Sequence, residues 1–133
     1  MVQIVVSVLV DAPIERVWAA YTSPADIVHW NFASDDWHTP SASVDLRVGG
    51  AFSSRMEARD GSAGFDFEGT YTQIVEHELI EYRFGDRAAV VRFSHVPGGV
   101  KVEVAFETED ENSVEDQRSG WQAILDNFAR YLA

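Results

Sequence analysis

From Gln3 to Val10 the chain reads QIVVSVLV, an apolar and β-branched run that predicts a first strand with both faces at least partly buried. From Asp11 the period lengthens. Ile14, Val17, Trp18 and Tyr21 recur at helical spacing, with Asp11 placed to cap and Pro13 suited to the first turn. Ser23 and Pro24 open a second short helix carrying ADIVHW, which runs into HWNFASDDWHTP, His29 to Pro40, a stretch with neither helical nor strand rhythm. From Ser43 the pattern becomes short apolar runs separated by turn signals. SVDLRV turns at Gly49 and Gly50 into AFSSRMEA, and Asp60–Gly61 leads to FDFEGTYTQIV. His77–Glu78 leads to LIEYRF, Gly85–Asp86 to AAVVRFSHV, and Pro97–Gly98–Gly99 to VKVEVAFET. This predicts six consecutive antiparallel strands. In the last of them Val100, Val102, Val104 and Phe106 alternate with Lys101, Glu103 and Glu107, one dry face against one wet one.

After EDEN the period is helical again: Val114, Trp121, Leu125, Phe128 and Leu132 form a stripe, with Ile124 and Tyr131 beside it. Ser113 followed by Asp116 makes a partial capping box. Gly120 interrupts this helix at a cost of roughly 1 kcal/mol against alanine, and close contact with a strand is the expected reason. The order is one strand, two short helices, six strands and one long helix, without repeat or linker. A long amphipathic helix against a curved antiparallel sheet, with short helices plugging one end, predisposes to a cavity between the layers.

Four stretches together resemble the START-related helix-grip (SRPBCC) superfamily: APIERVWAAYTSPADIVHW (Ala12 to Trp30), DLRVGGAF (Asp45 to Phe52), FEGTYTQIVEHELIEYRF (Phe67 to Phe84) and SGWQAILDNFARYL (Ser119 to Leu132). More narrowly they resemble its bacterial branch similar to the C-terminal domain of the activator of Hsp90 ATPase. The resemblance covers essentially the whole chain and implies an α+β helix-grip domain spanning residues 1–133, with a curved seven-stranded antiparallel sheet wrapped round a long C-terminal helix. It also implies a pocket between helix and sheet of the kind that holds lipids, polyketides or other apolar molecules. Relatives commonly carry a second tryptophan where Asn31 stands, followed by a short Gly/Pro-containing connection; NFASDDWHTPSA takes that place here.

Composition restricts the chemistry. With 133 residues the chain fits one domain with a real core. There is no cysteine, so disulfides, thiolate nucleophiles and Cys-ligated zinc are excluded. The net charge of −12, with Lys101 the sole lysine among ten basic residues, argues against nucleic acid and anionic lipid surfaces as partners. No apolar run approaches the ~20 residues of a membrane span, and the start lacks the features of a signal peptide, so a cytoplasmic protein is expected, with no membrane insertion.

Three sites compete. His29, Asp35, Asp36 and His38 are suitable metal ligands by type, but no pair has the spacing that fixes two ligands on one face, so no metal is expected. His77, His95, Glu68, Glu103 and Arg92 would serve acid–base chemistry if they faced a pocket; the alternation puts Glu103 in solvent. The richest supply is for an apolar pocket, with Trp30, Phe32, Trp37, Phe52, Met56, Phe67, Tyr71, Tyr82, Phe84, Phe93, Trp121, Leu125 and Phe128 as expected liners. Trp30, Phe32 and Trp37 would form a lid running from Trp30 to Pro40, because indoles exposed on a loop are costly. The expected function is non-catalytic binding of a small aromatic or lipid-like molecule, without a cofactor. An aromatase/cyclase- or hydrolase-type enzyme using the same pocket is the second reading. An Hsp90 cochaperone-like interaction module comes last, because the cochaperones carry an additional N-terminal domain and this sequence opens on its first strand. A homodimer through the aromatic stretch or a sheet edge is compatible with the pattern.

Overall fold

Each β-hairpin closes on the turn residues that the sequence marks, and glycines with φ of 63° at Gly85 and 93° at Gly98 take backbone conformations that other side chains resist. The computed structural model describes residues 2–133, in the order β1 (Gln3–Val10), α1 (Ile14–Thr22), α2 (Pro24–Ile27), β2 (Trp37–Val44), β3 (Ala51–Ala58), β4 (Gly64–Val75), β5 (Leu79–Phe84), β6 (Arg87–Val96), β7 (Gly99–Glu107) and α3 (Val114–Leu132). The seven strands make one antiparallel sheet in the order β1-β7-β6-β5-β4-β3-β2. This is the helix-grip arrangement, with β1 closing onto the end of the meander through β7.

The dry face of the sheet comes from the period-2 positions: Ile4, Val6 and Val10 of β1, Val100, Val102, Val104 and Phe106 of β7, Ala89, Val91 and Phe93 of β6, and Ile80, Tyr82 and Phe84 of β5 are all buried. The other face of β1 is open, with Val5 49 % and Leu9 53 % exposed, where burial on both faces was expected. In an antiparallel sheet one uncovered face is normal, so β-branched composition alone overstates burial. In β4 the register slips between Tyr71 and Gln73. Before the slip Phe67 and Tyr71 face inward and after it Ile74 does, a bulge that bends the strand and helps curl the sheet.

The α3 N-terminus is capped as the sequence indicates, the Asp116 amide donating to Ser113 Oγ at 3.0 Å. Asp11 does not cap α1; Pro13 occupies the N-cap position and no side chain caps that end. On α3, Leu125 and Phe128 reach the core, and Trp121 stacks face to face on Phe106 with centroids 4.1 Å apart. The helix also guards the free edge of β1, where Gln122 Nε2 donates to the Ser7 carbonyl at 2.9 Å.

β2 is the one strand that the pattern misplaces. The alternation of Val44, Leu46 and Val48 predicts a strand beginning at Ser43, whereas the strand ends at Val44. Residues 45–50 instead form a turn: the Gly50 amide donates to the Arg47 carbonyl at 2.8 Å, Arg47 Nε is paired with the Asp45 carboxylate at 2.9 Å, and Gly49 has φ of 84°. Trp37 to Pro40, assigned to a lid, are the first half of the strand. Pro40 is accommodated because β2 is an edge, where a missing N–H removes no ladder bond.

Candidate functional site

Aromatic residues divide the interior into two compartments. At one end α1 and α2 plug the sheet, and Trp18, Tyr21, Trp30, Phe93 and Phe128 pack edge to face: Phe128 lies 4.8 Å from Trp30 and 5.2 Å from Tyr21, and Phe93 lies 5.2 Å from Trp18. Trp30 is 4 % exposed, and its Nε1 donates to the Ala20 carbonyl at 2.9 Å. It is therefore a pillar of the core rather than part of a lid. The sequence hides this because Trp30 follows the end of α2 by only three residues, and a turn there points its ring back under α1.

At the other end the side chains do not meet, leaving a cavity of about 460 Å³ between α3 and the sheet, lined mainly by β2 to β5 with Arg87 of β6 and Val104 of β7. Phe52 and Met56 of β3, Phe67 and Tyr71 of β4 and Tyr82 of β5 form the sheet wall, Trp121 and Leu125 the helix wall, and Trp30 and Trp37 the plug side. Nine of the thirteen expected liners thus border one cavity. The other four are elsewhere. Phe93 and Phe128 fill the closed compartment, and Phe84 sits behind the wall against Phe67 and Trp121 at 5.5 and 5.8 Å. Phe32 is half-buried, its carbonyl accepting from Asn127 Nδ2 at 2.6 Å, which ties the α2–β2 connection to α3. The exposed lining residues Ala33, Ser34, Ser43 and Phe65 mark where the cavity meets solvent.

Two glycines shape the space. Phe52 and Gly69 are cross-strand partners, and a Cβ on Gly69 would come within 2.8 Å of the Phe52 ring. The ring lies over the bare backbone and is thereby aimed into the cavity. Gly120 lines the cavity from α3, and a Cβ there would meet nothing within 4 Å. The expected close contact with a strand is absent, and the missing side chain enlarges the cavity instead.

Polar groups were underestimated by sequence reasoning. Tyr21 was placed on the helix stripe, yet its ring lines the cavity together with Tyr71 and Tyr82. Among the described residues none hydrogen-bonds to these three hydroxyls, and none of the three is sealed from all accessible space, so they open on the cavity. Burial pushes the Tyr71 hydroxyl up to about 12 and raises those of Tyr21 and Tyr82 further, with mutual repulsion of the would-be phenolates adding to it. All three stay protonated and neutral at physiological pH. Asn31 Nδ2 donates to Ser54 Oγ at 3.2 Å on the same wall, and Arg87 is its one charged residue.

The other candidates lie outside the cavity. His29 stacks on Tyr131 at 5.7 Å, His38 approaches Glu57 at 3.9 Å, and Asp35 and Asp36 are exposed. Among the described residues no three His, Asp or Glu side chains converge as metal ligands would. His77 packs edge-on against Trp18, while His95, Glu68 and Arg92 are exposed and Glu103 pairs with Lys101 at 3.4 Å.

A long helix laid on a curled antiparallel sheet in this order recurs in known proteins. The sequence pattern of the family described as "Activator of Hsp90 ATPase homolog 1-like protein" matches residues 11–133. The chain belongs to this family. A solved AHSA1-like protein from Aeromonas hydrophila is 44 % identical and superposes with a TM-score of 0.91, over 98 % of this chain and 91 % of the other. A protein from Cytophaga hutchinsonii is 43 % identical with a TM-score of 0.81, covering 97 % and 89 %. One from Chromobacterium violaceum is 26 % identical with a TM-score of 0.89, covering 99 % and 98 %. No curated protein matches the chain. Among the described residues no helix is long and apolar enough to cross a membrane.

Proposed function

We propose that this family member binds a small, largely apolar molecule in the cavity between α3 and the sheet. The observation that carries the reading is an unfilled space of about 460 Å³ walled by aromatic side chains beside a closed, fully packed compartment. A chain able to pack Phe128 against Trp30 and Tyr21, and Phe93 against Trp18 and Tyr21, leaves a second interior region open, and keeps a glycine on α3 facing it. The volume lies in the ordinary range of ligand pockets, roughly 300–1,000 Å³. Trp30, Trp37 and Trp121 all border the space, so occupancy should change intrinsic fluorescence. Titration with a panel of neutral probes, N-phenyl-1-naphthylamine, biphenyl-4-methanol and 1-decanol, should reveal at least one binder with a Kd below about 100 μM. No binder in that range, together with a crystal structure whose interior is filled by side chains, would exclude the reading.

A second reading, an enzyme of the cyclase or hydrolase kind, draws support from the three tyrosine hydroxyls, which stay protonated and can donate to a substrate oxygen. It ranks below binding because the described lining residues include no His, Asp or Glu to act as a base. The family takes its name from an activator of Hsp90 ATPase; capture of Hsp90 by this protein with stimulation of its ATPase would move an interaction role to first place.

A further inference from the structure

The cavity wall contains one formal charge in a chain whose net charge is −12, and that charge is positive. Arg87 starts β6, opposite Phe84 in the β5–β6 register, and its guanidinium lies over the Phe84 ring, 4.4 Å from the centroid. Stacking on an aromatic face fixes the plane of the fork. One N–H donor, on Nη1, reaches the Glu107 carbonyl at 3.2 Å. The remaining donors of a group that carries five have no acceptor among the described residues. Among the described residues no carboxylate lies within ion-pair distance of it. Glu107, whose backbone Arg87 touches, turns its own carboxylate to the Ala88 amide at 2.6 Å. A stacked, oriented and half-buried guanidinium with spare donors, close enough to Tyr82 for its charge to act on that neutral phenol, forms a polar corner of donors in an otherwise largely apolar wall.

We propose that the Arg87 guanidinium receives an anionic oxygen group of the carboxylate class on the ligand, so that the cavity takes an apolar acid in preference to the corresponding neutral molecule. This rests on the ligand-binding reading above and narrows it. Spare guanidinium donors match a carboxylate two-on-two, and the Tyr82 hydroxyl, within reach of the guanidinium charge, is an acceptor-seeking group on the same side of the cavity. The hydrocarbon or aromatic body of the ligand then runs along Phe52, Phe67 and Trp121.

The test compares acid and alcohol of matched shape at neutral pH by calorimetry or equilibrium dialysis: decanoic acid against 1-decanol, and biphenyl-4-carboxylic acid against biphenyl-4-methanol. The acid should bind about tenfold or more tightly than its alcohol in at least one pair, the scale of one charge-assisted, bidentate contact. Which pair shows the effect distinguishes a chain-like acid from an aromatic one. In Arg87→Gln the preference should vanish, and in Arg87→Lys it should shrink without vanishing. Equal affinity of acid and alcohol in the wild-type protein would overturn the inference while leaving the ligand-binding reading intact. An acid preference that survives in a folded Arg87→Gln would overturn the assignment to Arg87. Binding of neither member of either pair would overturn the inference, and would overturn the ligand-binding reading as well if N-phenyl-1-naphthylamine also failed to bind and a crystal structure showed the interior filled by side chains. The wild-type comparison is decisive even if the variants fail to fold.

Discussion

At the scale of single residues the two tryptophans that sequence reasoning joined in one lid do different work. Trp30 is locked into the core by its hydrogen bond to Ala20, so Trp30→Phe should cost about 1–3 kcal/mol through the unpaired Ala20 carbonyl and the lost ring volume. Trp37 is half-buried on an edge strand, its ring 5.9 Å from exposed Phe65, and Trp37→Phe should change stability by under about 1 kcal/mol. Chemical denaturation of the two variants checks this contrast; equal losses would contradict it. Gly120 gives a sharper test, because its missing side chain has no structural partner. Gly120→Ala should stabilise the protein by up to about 1 kcal/mol, through helix propensity alone. Gly120→Leu should fill part of the cavity and weaken binding of neutral probes. A destabilised Gly120→Ala would restore the close-contact explanation that its sequence context suggested.

At the scale of elements, the helices are held together at the plugged end by a small polar cluster. Asp26 of α2 accepts two hydrogen bonds at 3.3 Å from Arg16 of α1 and one from the Tyr131 hydroxyl of α3, while Arg16 also sits 5.8 Å from the Tyr131 ring centroid. Burial works to raise the Asp26 carboxyl, but the hydrogen bonds from Tyr131 and Arg16 outweigh it and hold the carboxyl below its ordinary range. Since the folded value lies below the unfolded one, the resulting stability is fully present above about pH 4 and is lost as pH falls through the folded value. Asp26→Asn should therefore lower stability at neutral pH and flatten its decline on acidification, as read from thermal midpoints at several pH values. An unchanged acid profile would show that the cluster is decorative. Elements were legible in the sequence where turn chemistry and period agreed. β3 and β5 fall on the expected residues, and β6, β7 and α3 fall within one residue of them, because each has a glycine or polar turn at its ends and an unbroken alternation or helical stripe. β2 was not legible: Pro40 lies inside it, and Val44, Leu46 and Val48 continue its alternation beyond its end into a turn made by Asp45, Arg47 and Gly49. Pairing with β3 decides that register, and pairing is not a local property.

At the scale of the molecule, the existence of a cavity followed from architecture, while its boundary did not. A long helix laid on a curled sheet leaves space that the supply of aromatics can fill or line. The sequence could not distinguish Phe93 and Phe128, which fill, from Phe67 and Trp121, which line, since all four occupy inward positions. The difference arises because α1 and α2 cover only one end of the sheet. The polar members of the wall, Tyr21, Tyr71, Tyr82 and Arg87, were visible as residue types but not as a convergent set, because they come from α1, β4, β5 and β6. An occupied cavity has a global consequence: a ligand at a hundred times its Kd should add about 2.7 kcal/mol to unfolding stability and raise the melting temperature.

The central claim, that an apolar molecule enters between α3 and the sheet, is tested most directly by following amide and indole N–H resonances during titration with neutral biphenyl-4-methanol. Saturable shifts of the Trp37 and Trp121 indoles and the Gly120 amide, with Val5 and Leu9 on the open sheet face unmoved, are the predicted result. No saturable shift up to the solubility limit, or shifts confined to Val5 and Leu9, would contradict it.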